Sequence, residues 1–231
     1  MLTLREAGAR GQTQTDWLDS KHTFSFADYR DNRHLHFGPL RVINEDFIAA
    51  KSGFPMHPHE NMEILTYVVS GELEHKDSMG NGSTIKAGEI QMMSAGTGVL
   101  HSEWNKSAEQ EVHLLQIWIF PERKGLLPSY QQKKLGQEHN VWIEVASANP
   151  AKGLKINQNA VIRACRLDAG QIIGAELDAG RKAWIQVVKG RISVNELQLS
   201  AGDGLSVTKS AGLVLTARSD SEFLLFDFAE Y

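Results

Sequence analysis

Residues 67–74 read Tyr-Val-Val-Ser-Gly-Glu-Leu-Glu, and residues 186–193 read Gln-Val-Val-Lys-Gly-Arg-Ile-Ser. In each, a β-branched run meets a glycine and resumes as a short alternating segment. That is the pattern of a strand, a tight turn and a second strand. A further pair follows: Ala87-Gly-Glu-Ile-Gln-Met-Met resembles Ala201-Gly-Asp-Gly-Leu-Ser-Val. An internal repeat of this kind means that one structural unit occurs twice. The chain is therefore expected to be all-β, with two barrels of similar fold.

Working outward, short strand candidates recur between turn signals. Residues 40–50 (Leu-Arg-Val-Ile-Asn-Glu-Asp-Phe-Ile-Ala-Ala) read as a strand, a turn and a second strand. Residues 63–70, 72–77, 84–86, 90–94 and 111–120 follow, with Met79-Gly-Asn-Gly-Ser as a strong turn signal and Pro121 as a stop. Lys, Gln, Gly and Pro then dominate residues 121–140, which read as a linker with at most one helical turn. Residues 141–146, 161–167, 172–177, 183–188, 191–195 and 223–228 form the second set, punctuated by Gly170, Gly180, Gly190 and Gly202. The expected domains are residues 1–135 and 136–231.

The 231 residues suffice for two small domains or one large one. A net charge of −4 gives no electrostatic reason to expect nucleic acid or an anionic membrane. Cys165 is the only cysteine, so an intramolecular disulfide is excluded. The N-terminus lacks the apolar run of a signal peptide, and no apolar stretch reaches the ~18 residues of a membrane span. The expected location is the cytoplasm.

Two motifs carry chemistry: His57-Pro-His-Glu-Asn-Met-Glu63 and His101-Ser-Glu-Trp-Asn105. Side chains alternate along a strand with period two, so His57 pairs with His59 and His101 with Glu103. Neighbouring strands inside a barrel would bring three imidazoles and a carboxylate together. Those are ligands that divalent first-row metals accept, and four of them leave positions open for catalysis. A lone His-x-His is more often a surface or hydrogen-bonded pair; the second motif is what favours a metal. Pro58 belongs at a strand end, an edge or a rim, because it has no N–H for the ladder. Parity alone also lets Glu63 point inward. Aligning Gly71 with Gly190 sets Glu176 and Asp178 opposite His57 and His59. Aligning Gly88 with Gly202 sets Leu215 and Ala217 opposite His101 and Glu103. The metal is thus expected in the N-terminal barrel only.

Several stretches resemble the pirin family, also known as quercetin 2,3-dioxygenases: Phe24-Ser-Phe-Ala-Asp-Tyr, Phe37-Gly-Pro-Leu-Arg-Val-Ile-Asn-Glu-Asp, Gly53-Phe-Pro-Met-His-Pro-His, Glu63-Ile-Leu-Thr-Tyr and Ser94-Ala-Gly-Thr-Gly-Val-Leu-His-Ser-Glu. They cover roughly residues 22–120. The resemblance implies tandem cupin barrels (double-stranded β-helix, or jelly-roll) and His57, His59, His101 and Glu103 as metal ligands. Glu63 then becomes a group that orients a histidine N–H. It implies one divalent transition metal, with iron(II) favoured and Mn, Co, Ni, Cu or Zn also compatible. The implied reaction opens the central ring of a flavonol such as quercetin with O2, releasing carbon monoxide and a depside. Glu103 or Glu63 is the expected base. Phe54, Met56, Met92 and Leu100 are the expected apolar lining of the pocket.

Other residues read more plainly. His113 is a satisfied core histidine or an auxiliary site group; His34 and His36 are surface residues; Trp104 packs, Asn105 holds backbone, and Cys165 is a small buried apolar residue. The competing function is a non-enzymatic metal-binding protein with protein partners. A sugar-phosphate isomerase would need basic residues at the mouth, where only Arg41 and Lys51 stand. A monomer is expected.

Overall fold

The computed structural model describes residues 1–209 and 212–229. Among them are twenty-two strands and a single 3-10 turn, Ala7–Ala9. No helix is long and apolar enough to cross a membrane. The strands form two compact units, each built from one seven-stranded and one four-stranded sheet.

The first unit contains Gly11–Leu135 and Ile156–Gln158. Its larger sheet runs in the order Ser129–Lys134, Glu89–Ser94, Glu63–Ser70, Val112–Ile119, Leu40–Ile48, Leu18–His22, Gly11–Gln14. Its smaller sheet runs Ser52–His59, Val99–Asn105, Glu72–Asp77, Gly82–Lys86. Leu18, Ile48, Val68, Leu73, Ile85, Val112 and Leu114 pack between the two sheets, with Trp17 and Phe54 against them. The second unit repeats this plan. Its core joins Ile185, Val187, Phe223 and Leu225 of the large sheet to Ile192, Leu199, Leu213 and Leu215 of the small one.

The repeat glycines mark where the chain leaves one sheet for the other. Gly71 separates Glu63–Ser70 from Glu72–Asp77, and Gly190 separates Arg181–Lys189 from Arg191–Val194. Their φ angles are +78° and +77°, a left-handed conformation that glycine adopts without a Cβ penalty.

Four features differ from the sequence reading. Residues 40–48 form one strand without a turn, because the polar Asn44, Glu45 and Asp46 find partners within the sheet interior. Part of the expected linker is a strand, Ser129–Lys134, whose polar composition suits its place at a sheet edge. Leu2–Arg5 pairs with Gly204–Val207, so Met1–Arg10 groups with the second unit and not with residues 11–135. Finally, Leu215 pairs with Ile173 and Leu213 with Ala175. If Leu215 stands for His101, then Ile173 and Ala175, rather than Glu176 and Asp178, occupy the places of His57 and His59. Apolar side chains therefore fill the second unit where the first carries imidazoles.

Gly53 couples the fold to the site. A Cβ there would lie 2.2 Å from the Glu103 carbonyl oxygen and 2.6 Å from Trp104 Cα. Because both are backbone atoms, the strands would have to part, at an overpacking cost of about 1–3 kcal/mol. Gly53→Ala is expected to lower the melting temperature by roughly 5 °C. Gly82→Ala, whose Cβ would meet nothing closer than 3.9 Å, should leave it within a degree or so. Equal melting curves for the two variants would contradict this packing.

Candidate metal centre

Ser52–His59 is an edge strand that, among the described residues, pairs only with Val99–Asn105. Pro55 and Pro58 are tolerated there because an edge strand leaves some N–H groups without a ladder partner anyway. The antiparallel register sets His101 opposite His57 and Val99 opposite His59. Beyond His101 the register slips, so that Glu103 faces Phe54. The extra residue lies in the Ser52–His59 strand, a bulge of the kind that re-aims side chains beside functional sites.

The three rings converge. Centroids are 4.8 Å apart for His57 and His59, 4.4 Å for His57 and His101, and 4.8 Å for His59 and His101. One ligand atom from each lies within 4.8 Å of the other two. His57 Nδ1–H donates to the Pro55 carbonyl at 2.7 Å, which leaves Nε2 with a free lone pair. His101 is buried, and neither of its ring nitrogens has a hydrogen-bond partner among the described residues. Burial, followed by the neighbouring imidazoles, pushes His59 down to about 4 and His101 to about 3. Both rings are thus neutral at neutral pH, the form that binds metals. An orphaned buried imidazole facing two others is what a metal site would leave behind, so these residues fit a divalent ion.

Glu103 stands apart from that triplet. Gln116 Nε2 donates to both of its oxygens, at 2.9 and 2.7 Å, and Thr66 Oγ1 donates at 3.3 Å. Its ligand atom groups with His75 and His101 rather than with His57 and His59. The four expected ligands therefore divide into a histidine triplet and a carboxylate held beside one of its members. Sequence reading did not single out His75, although His75-Lys-Asp77 has the same strand spacing. His75 bonds to Asp77 at 3.2 Å and to Gln91 at 3.3 Å, and it stacks on Tyr130.

Glu63 does not join the cluster. Asn61 adopts a left-handed φ of +49°, the strand breaks at residues 60–62, and Glu63 starts a strand of the other sheet. Its carboxylate accepts from Ser94 Oγ and from Asn157, whose N–H donates at 3.1 Å. It anchors Ile156–Gln158 and orients no histidine. His113 bonds to Glu45 at 2.9 Å and stacks on Phe47, so it is a satisfied histidine. Asn105 Nδ2 donates to the carbonyls of Ile48, Ala49 and Gln110, which fixes local backbone. Burial pushes the Cys165 thiol up to about 12, which makes it inert.

A cavity of about 370 Å³ opens onto His57, His59 and Glu103. Leu18, Phe26, Phe54 and Trp118 supply its apolar walls. Of the expected lining only Phe54 is present. Met92 is buried in the sheet, Met56 is exposed, and Leu100 borders a separate surface depression beside Pro58 and His59. Sequence reading missed Trp118 and Phe26 because they lie far along the chain from both histidine motifs.

Asp46 also lines the cavity. Burial raises its carboxyl from 3.8 to about 7, against the Ser20 hydrogen bond and with help from the charges of Glu103 and Glu45. The folded state thus binds the proton more tightly than the unfolded chain. The stability this contributes is complete below about pH 4 and is lost as pH rises through about 7. Asp46→Asn cannot ionise. Relative to wild type, the metal-free variant is expected to gain up to about 1.4 kcal/mol per pH unit between those limits. Urea unfolding across that range measures it, and a flat difference would contradict a buried, protonated Asp46.

The sequence matches the pirin family over residues 3–119 and the quercetinase C-terminal cupin domain over residues 134–228. A quercetin 2,3-dioxygenase of Escherichia coli K12 is 44% identical over 227 residues, 98% of each chain. Among solved structures, YhhW from Escherichia coli superposes with a TM-score of 0.97 at 44% identity, covering 100% of this chain and 99% of the other. A second YhhW structure, in complex with nickel(II), superposes at 0.96 with full coverage of both chains. With family matches in both halves and this identity along nearly its whole length, the chain belongs to the pirin family and has its tandem cupin fold.

Proposed function

We propose that this protein is a metal-dependent dioxygenase that opens the central ring of flavonols such as quercetin with O2, giving a depside and carbon monoxide. The observation that carries the reading is the buried, unpartnered His101 imidazole facing His57 and His59, two residues that line a largely apolar cavity. Relatives named quercetin 2,3-dioxygenase and a relative solved with nickel(II) support the reaction class and the type of ion.

His57, His59 and His101 would hold the ion in the N-terminal barrel, with the Glu103 carboxylate close by. Bound there, a divalent transition metal supplies Lewis acidity toward a hydroxyl oxygen. Iron(II) is the ion to test first. Glu103 accepts the proton of the flavonol 3-hydroxyl. Gln116 and Thr66 hold its two oxygens in one orientation, which is what a positioned base requires. Glu63 takes no part, because Ser94 and Asn157 occupy its oxygens. Leu18, Phe26, Phe54 and Trp118 exclude water and suit a flat, apolar ligand; about 370 Å³ lies at the small end of the range for ligand pockets. An open cavity of this size also weighs against a purely non-enzymatic binding role, for which a plugged site would be expected.

Protein stripped of metal and reloaded is expected to release carbon monoxide from quercetin under air. His101→Ala should lose both metal and release. Glu103→Gln should keep the metal and lose about 10²–10⁴ in rate. Gas-phase detection of carbon monoxide, with metal content measured on the same samples, checks all three. Undiminished release by metal-free His101→Ala would sink the reading.

A further inference from the structure

The cavity has a second polar face that ring opening does not use. Ser20 and His22 on Leu18–His22 lie opposite Asp46 and Asn44 on Leu40–Ile48. His22 Nδ1–H donates to Asn44 Oδ1 at 2.9 Å, so its Nε2 accepts from the Thr13 hydroxyl at 2.8 Å. That trio is satisfied internally. Asp46 differs: the Ser20 hydroxyl donates to Oδ1, while Oδ2, which has no hydrogen-bond partner among the described residues, is not sealed off from the cavity that Asp46 lines. Asp46 is only 3% exposed, yet it lines the same cavity as His57, His59 and Glu103. A hydrogen bond to such an oxygen contributes about 0.5–3 kcal/mol, so a ligand hydroxyl that reaches it gains selectively there. The walls beside it, Leu18, Phe26 and Phe54, are apolar and admit a flat ring.

We propose that Asp46, braced by Ser20, is the residue by which this cavity recognises a second hydroxyl of a flat aromatic ligand, distinct from the hydroxyl that meets the histidine cluster. The ligand class is then a polyhydroxylated aromatic, not any planar molecule with one acidic hydroxyl. Asp46 determines specificity and makes or breaks no bond. The inference rests on the flavonol reading and deepens it.

The test compares quercetin with 3-hydroxyflavone, which keeps the reacting hydroxyl and lacks the others. Both are titrated into metal-loaded protein without oxygen, so binding is read apart from turnover. Wild type is expected to bind quercetin about tenfold or more tightly than 3-hydroxyflavone. Asp46→Ala should bring that ratio to within about threefold by weakening quercetin alone, whereas a merely structural loss would weaken both ligands alike. Ser20→Ala, a milder change that keeps the carboxyl, should lower the ratio in the same direction. A ratio unchanged in either folded variant overturns the role of Asp46 and leaves the flavonol reading standing. Failure of wild type to bind either flavonol overturns both.

Discussion

The structure depends on one constraint: His101 is buried, and among the described residues neither of its ring nitrogens has a partner. Leaving such groups unsatisfied costs free energy that a small domain, stable by only about 5–15 kcal/mol, does not carry without reason. The surrounding strands are arranged around that ring. The register places His57 directly across from it, Glu103 shares its face two residues on, and the bulge in the facing strand sets Phe54 opposite Glu103. Gly53 lets the two backbones come close enough for this pairing. The same strands in the second unit meet no such demand, and Ile173, Ala175, Leu213 and Leu215 pack where the ligands would stand.

A cavity beside a metal cluster must keep polar groups in place without collapsing. Here the large sheet does this through the interior face of Leu40–Ile48. Asn44 and Asp46 share that face and are buried, with His22 and Ser20 as partners, while Glu45 points to the opposite face and meets His113. Gln116 on the neighbouring strand reaches Glu103. Polar side chains in a strand core are costly unless paired, and paired they fix one arrangement. The apolar walls then complete the cavity with rings and aliphatic groups from four different strands or loops.

Much of this was legible in the sequence, and the failures have physical causes. The repeat gave the architecture because each glycine marks a change of sheet that needs a left-handed backbone. The histidine triplet was legible because strand parity is strict, and Asn105 and Cys165 read as their residue types dictate. The parity argument failed for Glu63, since Asn61 breaks the strand before that residue is reached. Parity also says nothing of Gln116 and Thr66, which hold the Glu103 carboxylate; hydrogen bonds between distant strands leave no local pattern. Asn44-Glu45-Asp46 read as a turn because polar triplets usually are turns, and only tertiary partners reverse that. Most of the cavity walls were invisible for the same reason: Phe54 was legible from its place beside His57, but Phe26 and Trp118 are brought there by the fold alone.

The most direct test of the account is where a metal sits. X-ray absorption of the protein loaded with nickel(II), wild type beside the single alanine variants of His57, His59 and His101, reads the ligands by element and number. The account predicts imidazole scattering from three histidines in wild type and one fewer in each variant. A wild-type spectrum without imidazole scattering, or one that none of the three substitutions changes, would contradict it.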